Sequence, residues 1–177
     1  MAEDKKSNIY LCGFMATGKS SVGKRLADAL RWEFLDMDAL IEAKERRTIS
    51  EIFSSQGEPA FRAMESRMVR LLSERSECVV ATGGGAIVNP QNLEMMKHSG
   101  AVITLTADIP TILRRSAGED TRPLLQAADR QERIATLLEQ RAPFYAAADI
   151  ILDTSLLSVN EVAAMLLQRL HECGFLK

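Results

Sequence analysis

Residues 13–20 read Gly-Phe-Met-Ala-Thr-Gly-Lys-Ser: a glycine, four residues, then Gly-Lys-Ser. This spacing makes a loop whose backbone N–H groups turn inward around an anion. Gly13 and Gly18 allow that backbone path. Lys19 is placed to bridge the β- and γ-phosphates of a nucleoside triphosphate, and the Ser20 hydroxyl to coordinate Mg2+. Ala16, Thr17 and Ser21 complete the loop set against the nucleotide. The pattern does not separate kinases from GTPases or ATPases.

Residues 34–38, Phe-Leu-Asp-Met-Asp, supply two further chemical groups. If the segment is a strand, Asp36 and Asp38 point to the same side of it. Ligands of open parallel sheets bind beyond the carboxyl ends of the strands, so both carboxylates would face the crevice of the glycine loop. One can hold a water on Mg2+ while the other accepts a proton from an attacking hydroxyl. Alternatively, Asp38 caps the helix that begins at Ala39 and Asp36 sits in a turn.

Arginines and glycines make a third group. In Gly-Glu-Pro-Ala-Phe-Arg (57–62), Pro59 suits a first helical position and Arg62 falls in the first turn, against the helix dipole. Its bland role is a pair with Glu58 or Glu65 on a solvated face. Gly83, Gly84 and Gly85 follow an apolar run and permit either close approach to a ligand or a flexible turn. Arg122 lies in a polar segment, 116–129, where it can close over phosphates. Arg141 ends a helical pattern, where a cation also suits the dipole. Arg114 and Arg115 are adjacent, so only one of them reaches a given site.

These groups need elements to carry them. Residues 8–12, 33–38, 78–82, 101–106 and 149–153 read as strands, the apolar ones as buried parallel strands. Helical patterns fill roughly 38–46, 59–74, 90–98, 108–116, 130–141 and 158–172, after a first helix in which Val22, Leu26, Ala29 and Leu30 share a face. Alternation of this kind predicts an α/β three-layer sandwich, a parallel sheet between helices. The segment 116–129 is too long for a simple turn and reads as a mobile lid or a connector.

The chain has 177 residues, one domain's worth, and a net charge of −2. Any anion site must therefore be local, and no bulk field suggests nucleic acid or an anionic membrane. No apolar run approaches a membrane span, and the first residues lack the apolar stretch of a signal peptide. Cys12, Cys78 and Cys173 form no disulfide framework and His98 and His171 are isolated, which reads as a cytoplasmic protein without structural zinc.

The ordered set "GFMATGKS", "FLDMD", "GEPAFR", "TGGGA", "RPLL" and "RAPFY", from residue 13 to 145, resembles the shikimate kinase family. The resemblance implies a P-loop fold of the nucleoside-monophosphate-kinase type with a five-stranded parallel sheet, a single kinase domain over 1–177 acting as a monomer. Within it the phosphate loop spans 13–20, the substrate region about 36–64 and the lid about 116–129. It implies transfer of a phosphoryl group from ATP, with Mg2+, to the 3-hydroxyl of shikimate, in aromatic amino-acid biosynthesis. By motif position Asp36 would serve the magnesium shell and sit near substrate. Asp38 would hold the substrate hydroxyls and act as base. Arg62, Arg141 and the backbone of Gly83, Gly84 and Gly85 would grip the shikimate carboxylate. Arg122 would be the lid arginine on the phosphates, and Arg115 would flank adenine. Family loops often carry glycine where this chain has Ala16, and residues 154–162 offer no arginine to adenine. Kinases of gluconate or of nucleoside monophosphates on the same scaffold, or a non-catalytic nucleotide-binding module, are the competing readings. The module predicts loss of Lys19, Asp38 or Arg122, and all three are present.

Overall fold

A computed structural model describes residues 7–117 and 129–176. Its strands are β1 Asn8–Cys12, β2 Glu33–Asp36, β3 Cys78–Ala81, β4 Gly100–Thr106 and β5 Ile150–Asp153. They form one parallel sheet in the order β2-β3-β1-β4-β5. The α/β class and the five expected strands are thus present. Tyr10 at the centre of β1 lies opposite Val80 on one side and Val102 on the other.

Side chains of β1 alternate between two cores, as the twofold period of a strand requires. Tyr10 and Cys12 join Val80, Val102, Met68, Ile87 and Met96 on one face. Ile9 and Leu11 join Val22, Leu26, Val79, Ile103 and Leu166 on the other. The helices are α1 Lys19–Leu30, α2 Met37–Glu45, α3 Ile49–Ser73, α4 Pro90–Ser99, α5 Ile109–Arg115, α6 Arg130–Ala146 and α7 Val159–Glu172. Helices α1 and α7 bury the second core, while α3, α4 and α6 lie over the first. No helix among the described residues is long and apolar enough to cross a membrane.

Three local expectations change. Asp38 is not on the strand: β2 stops at Asp36, which caps α2 by accepting from Asp38 N at 3.1 Å and Ala39 N at 3.3 Å. The capping role belongs to Asp36, not Asp38, because only the residue before the helix has free N–H groups ahead of it. Helix α3 begins at Ile49 rather than near 59, opened by a Thr48–Glu51 capping box. The backbone breaks at Gly57, with φ 81° and ψ 171°, and restarts just before Pro59. Helix α6 continues past Arg141 and through Pro143, which deprives it of one N–H bond. Its last turn is anchored instead by buried Tyr145, whose hydroxyl donates to Gly84 O at 2.8 Å. Arg141 therefore lies inside the helix, and the end-of-helix explanation for it falls away.

The chain leaves β1 toward β2 on one side, and the β3–β4 connection later crosses to the other. The loops after β1 and β3 consequently flank the point where strand order reverses, the expected crevice of such a sheet.

Candidate active site

The loop after β1 wraps back on itself. Gly13 has φ 132° and Gly18, which precedes α1, has φ 96°. A Cβ on Gly13 would overlap the Leu105 carbonyl, so only glycine lets this loop lie against β4. Buried Thr17 donates from Oγ1 to Phe14 O at 2.8 Å and holds the turn closed. Lys19 Nζ donates to Gly13 O at 2.9 Å and to Phe14 O at 2.7 Å, which folds its ammonium over the loop. Ser20 Oγ donates to Asp36 Oδ2 at 2.9 Å. The hydroxyl and the carboxylate expected to serve a metal thus converge, although sixteen residues separate them. Ser21 is exposed beside them on α1.

Ala16 carries a φ of 60°, a left-handed conformation that costs a residue with a Cβ about 1–2 kcal/mol. Ala16→Gly relieves that strain and adds back about 0.4–1 kcal/mol of unfolded-state entropy. The expected net result, read by calorimetry, is a Tm raised by up to about 5 °C. A lowered Tm would show that the alanine is not strained.

The turn after β3 faces the second carboxylate. A Cβ on Gly83 would stand 2.9 Å from Asp38 Oδ1 and 2.5 Å from Glu65 Oε1. Glu65 is buried, and its Oε1 has no hydrogen-bond partner among the described residues. Burial pushes its carboxyl above the ordinary range, against the pull of Arg62. Arg62 Nη1 donates to Glu65 Oε2 at 2.5 Å, and its guanidinium lies against Gly85, where any Cβ would overlap it. Arg141 Nη1 donates to Gly84 O at 3.3 Å, with its guanidinium 5.7 Å from the Phe14 ring centroid. Two arginines from different helices therefore bracket one glycine turn, with Asp38 beside it.

On the far side of the loop, Arg115 donates to Thr154 O at 2.7 Å, Thr154 Oγ1 at 3.0 Å and Ala16 O at 3.4 Å. Thr154 Oγ1 in turn donates to Thr17 O at 3.0 Å. Arg115 is thus the member of its pair that reaches the loop, while Arg114 bonds Thr111 on its own helix. Arg122, with most of the expected lid, lies outside the described residues. Arg130 Nη2 donates to the backbone oxygen and the hydroxyl of Ser116, both at 2.7 Å, joining the two flanks of that segment.

Glu65, Tyr145, Phe14 and Thr154 also belong to this site, and none of them is among the candidate residues that the sequence offers. From the sequence, Glu65 reads only as a partner of Arg62 on a solvated face. The side chain is only 1% exposed, and the sequence signal for this is the helical period: Phe61, Met68, Val69 and Leu72, at i−4, i+3, i+4 and i+7, are buried on the same face. Cys12, next to the loop, is a packing residue: burial pushes its thiol up to about 11.

A family model described as shikimate kinase matches residues 15–171. The chain belongs to the shikimate kinase family. A shikimate kinase of Geobacter metallireducens is 46% identical over 157 residues, 89% of this chain and 88% of the relative. A shikimate kinase of Pelotomaculum thermopropionicum is 39% identical over 170 residues, 96% of this chain and 99% of the relative. Among solved structures, a shikimate kinase from Acinetobacter baumannii in complex with shikimate matches with a TM-score of 0.91 and 37% identity, covering 96% of this chain and 95% of that one. The motif resemblance, the five-stranded parallel sheet and the shikimate kinase match agree, and the family is one of phosphotransferases that use ATP.

Proposed function

We propose that this protein transfers the γ-phosphoryl group of ATP to the 3-hydroxyl of shikimate, giving shikimate 3-phosphate and ADP. The observation that carries the reading is the meeting of Arg62 and Arg141 at the Gly83–Gly85 turn, beside Asp38 and across from the phosphate loop. Two guanidinium groups at one turn suit a small acceptor with a carboxylate. A carboxylate next to them suits its hydroxyls.

Each residue then has a task. The loop N–H groups and Lys19 hold the β- and γ-phosphates. Arg62 and Arg141 fix the acceptor by its carboxylate, which turns a bimolecular encounter into an oriented one. Asp38 orients the acceptor hydroxyl and takes its proton as the O–P bond forms. Glu65 holds Arg62 in place from the buried side. Arg122 is assigned to the phosphates and Arg115 to the adenine side by motif position. Because the arginines, carboxylates and loop come from one chain, a monomer suffices. The free cysteines fit a reducing compartment, the cytoplasm.

Ser20 and Asp36 fit a magnesium ion. Both offer hard oxygen donors at one point, and Mg2+ is commonly held by one or two protein oxygens plus water and phosphate. When bound, the ion neutralises charge on the β- and γ-oxygens.

The test is ADP release from ATP and Mg2+ with shikimate, gluconate and nucleoside monophosphates side by side. Turnover with shikimate is expected. Turnover confined to gluconate or a nucleotide would overturn the reading.

A further inference from the structure

Arg62 is engaged at both of its forked edges. Nε and Nη2 donate to Glu58 Oε1 at 3.2 Å and 2.9 Å, and Nη1 donates to Glu65 Oε2 at 2.5 Å. A guanidinium pairs with a carboxylate through Nε and Nη2 or through Nη1 and Nη2. Three of its five N–H groups are thereby taken: a ligand carboxylate must displace Glu58 to pair through the Nε/Nη2 edge, and must compete with Glu65 at Nη1.

They are not equally held. The Glu65 side chain is 1% exposed, so parting it from Arg62 leaves a buried charge uncompensated. The Glu58 side chain is 61% exposed and regains water when it leaves. Nor does Arg62 need Glu58 to stay in place. Glu65 pulls on its Nη1, the Gly85 backbone lies against the guanidinium plane, and the Phe61 ring centroid is 5.5 Å from its Cζ. Glu58 also stands immediately after the break at Gly57, at the start of the restarted helix, so its side chain can swing outward without disturbing the core.

We infer that Glu58 is an internal stand-in for the substrate carboxylate: it fills the Nε/Nη2 edge of Arg62 and is displaced when the substrate binds. The exchange swaps one carboxylate for another, so the guanidinium is not left unpaired at any stage. It also makes Glu58 a specificity-determining residue. A carboxylate-bearing acceptor replaces the charge it displaces, whereas an uncharged polyol of the same shape must break the pair and offer nothing in return. This inference rests on the proposed role of Arg62 toward an acceptor carboxylate.

The test is E58Q, with E58A beside it, in steady-state kinetics and in calorimetric titration with shikimate alone. Both variants are expected to lower KM and Kd for shikimate by about two- to fivefold, the range of an exposed ion pair. KM for ATP is expected to stay close to the wild-type value, which a general disturbance of the fold would not allow. A raised or unchanged KM and Kd for shikimate in both variants would overturn the inference, since Glu58 would then position Arg62 or stand by. Absence of shikimate-dependent ADP release in the wild-type protein would instead overturn the proposed function, so the two failures are read in different samples.

Discussion

Asp38→Asn is expected to lower kcat by about 10²-fold or more, the scale of a lost general base, and to leave KM for ATP nearly unchanged. The substitution keeps shape and removes basicity. It does not uncap α2, because that duty falls to Asp36, whose carboxylate takes the Asp38 and Ala39 N–H groups. It does not touch the loop, where Lys19 and the backbone are proposed to hold the phosphates. The loss should therefore appear in turnover alone. Steady-state kinetics, with calorimetric nucleotide binding as the control, checks this. Near-wild-type turnover would reduce Asp38 to a side chain that packs beside Gly83.

Arg62→Lys is expected to raise KM for shikimate by about 10- to 100-fold, the equivalent of one or two charge-assisted hydrogen bonds at about 1.5 kcal/mol each, and to leave KM for ATP almost as it is. Lysine preserves the charge but has no fork, so it cannot hold Glu65 and a ligand carboxylate in one plane. The choice of lysine over alanine matters. Alanine would leave Glu65 buried without its cation and lower stability as well as binding. Lysine keeps that compensation and isolates the geometry. Equal effects on both substrates, or none on either, would return Arg62 to the rank of a helix-surface ion pair. Read with the Glu58 variants, this gives opposite signs at two ends of one ion pair, a pattern that simple loss of helix stability does not produce.

Much of this protein is decided locally and so could be read along the chain. The phosphate loop is a contiguous motif with a fixed backbone requirement, and its glycines occur where φ is positive. The buried strands are continuous apolar runs because both faces of a parallel sheet are covered, and that composition survives in any linear reading. That only one of Arg114 and Arg115 reaches the loop is legible because neighbouring residues on a helix point apart; which of the two does so is not.

What tertiary structure decided has a common physical cause, the meeting of groups far apart in sequence. Ser20 and Asp36 converge only because α1 returns the chain to the sheet edge beside its starting loop. Pro143, a local stop signal, is overridden because Tyr145 finds Gly84 across the site. Asp36 and Asp38 looked equivalent on a strand, and the end of β2 gave one the cap and the other the crevice. Glu65 is the sharpest case. Its spacing from Arg62 announces an ordinary surface pair, while its helical spacing from Phe61, Met68, Val69 and Leu72 sets it on the buried apolar stripe. The β3 turn closes over it, with glycines that let the backbone come close. The helical period marks the face, but what covers it arrives from elsewhere in the chain, and that cover makes Glu65 the fixed partner of Arg62 and Glu58 the exchangeable one.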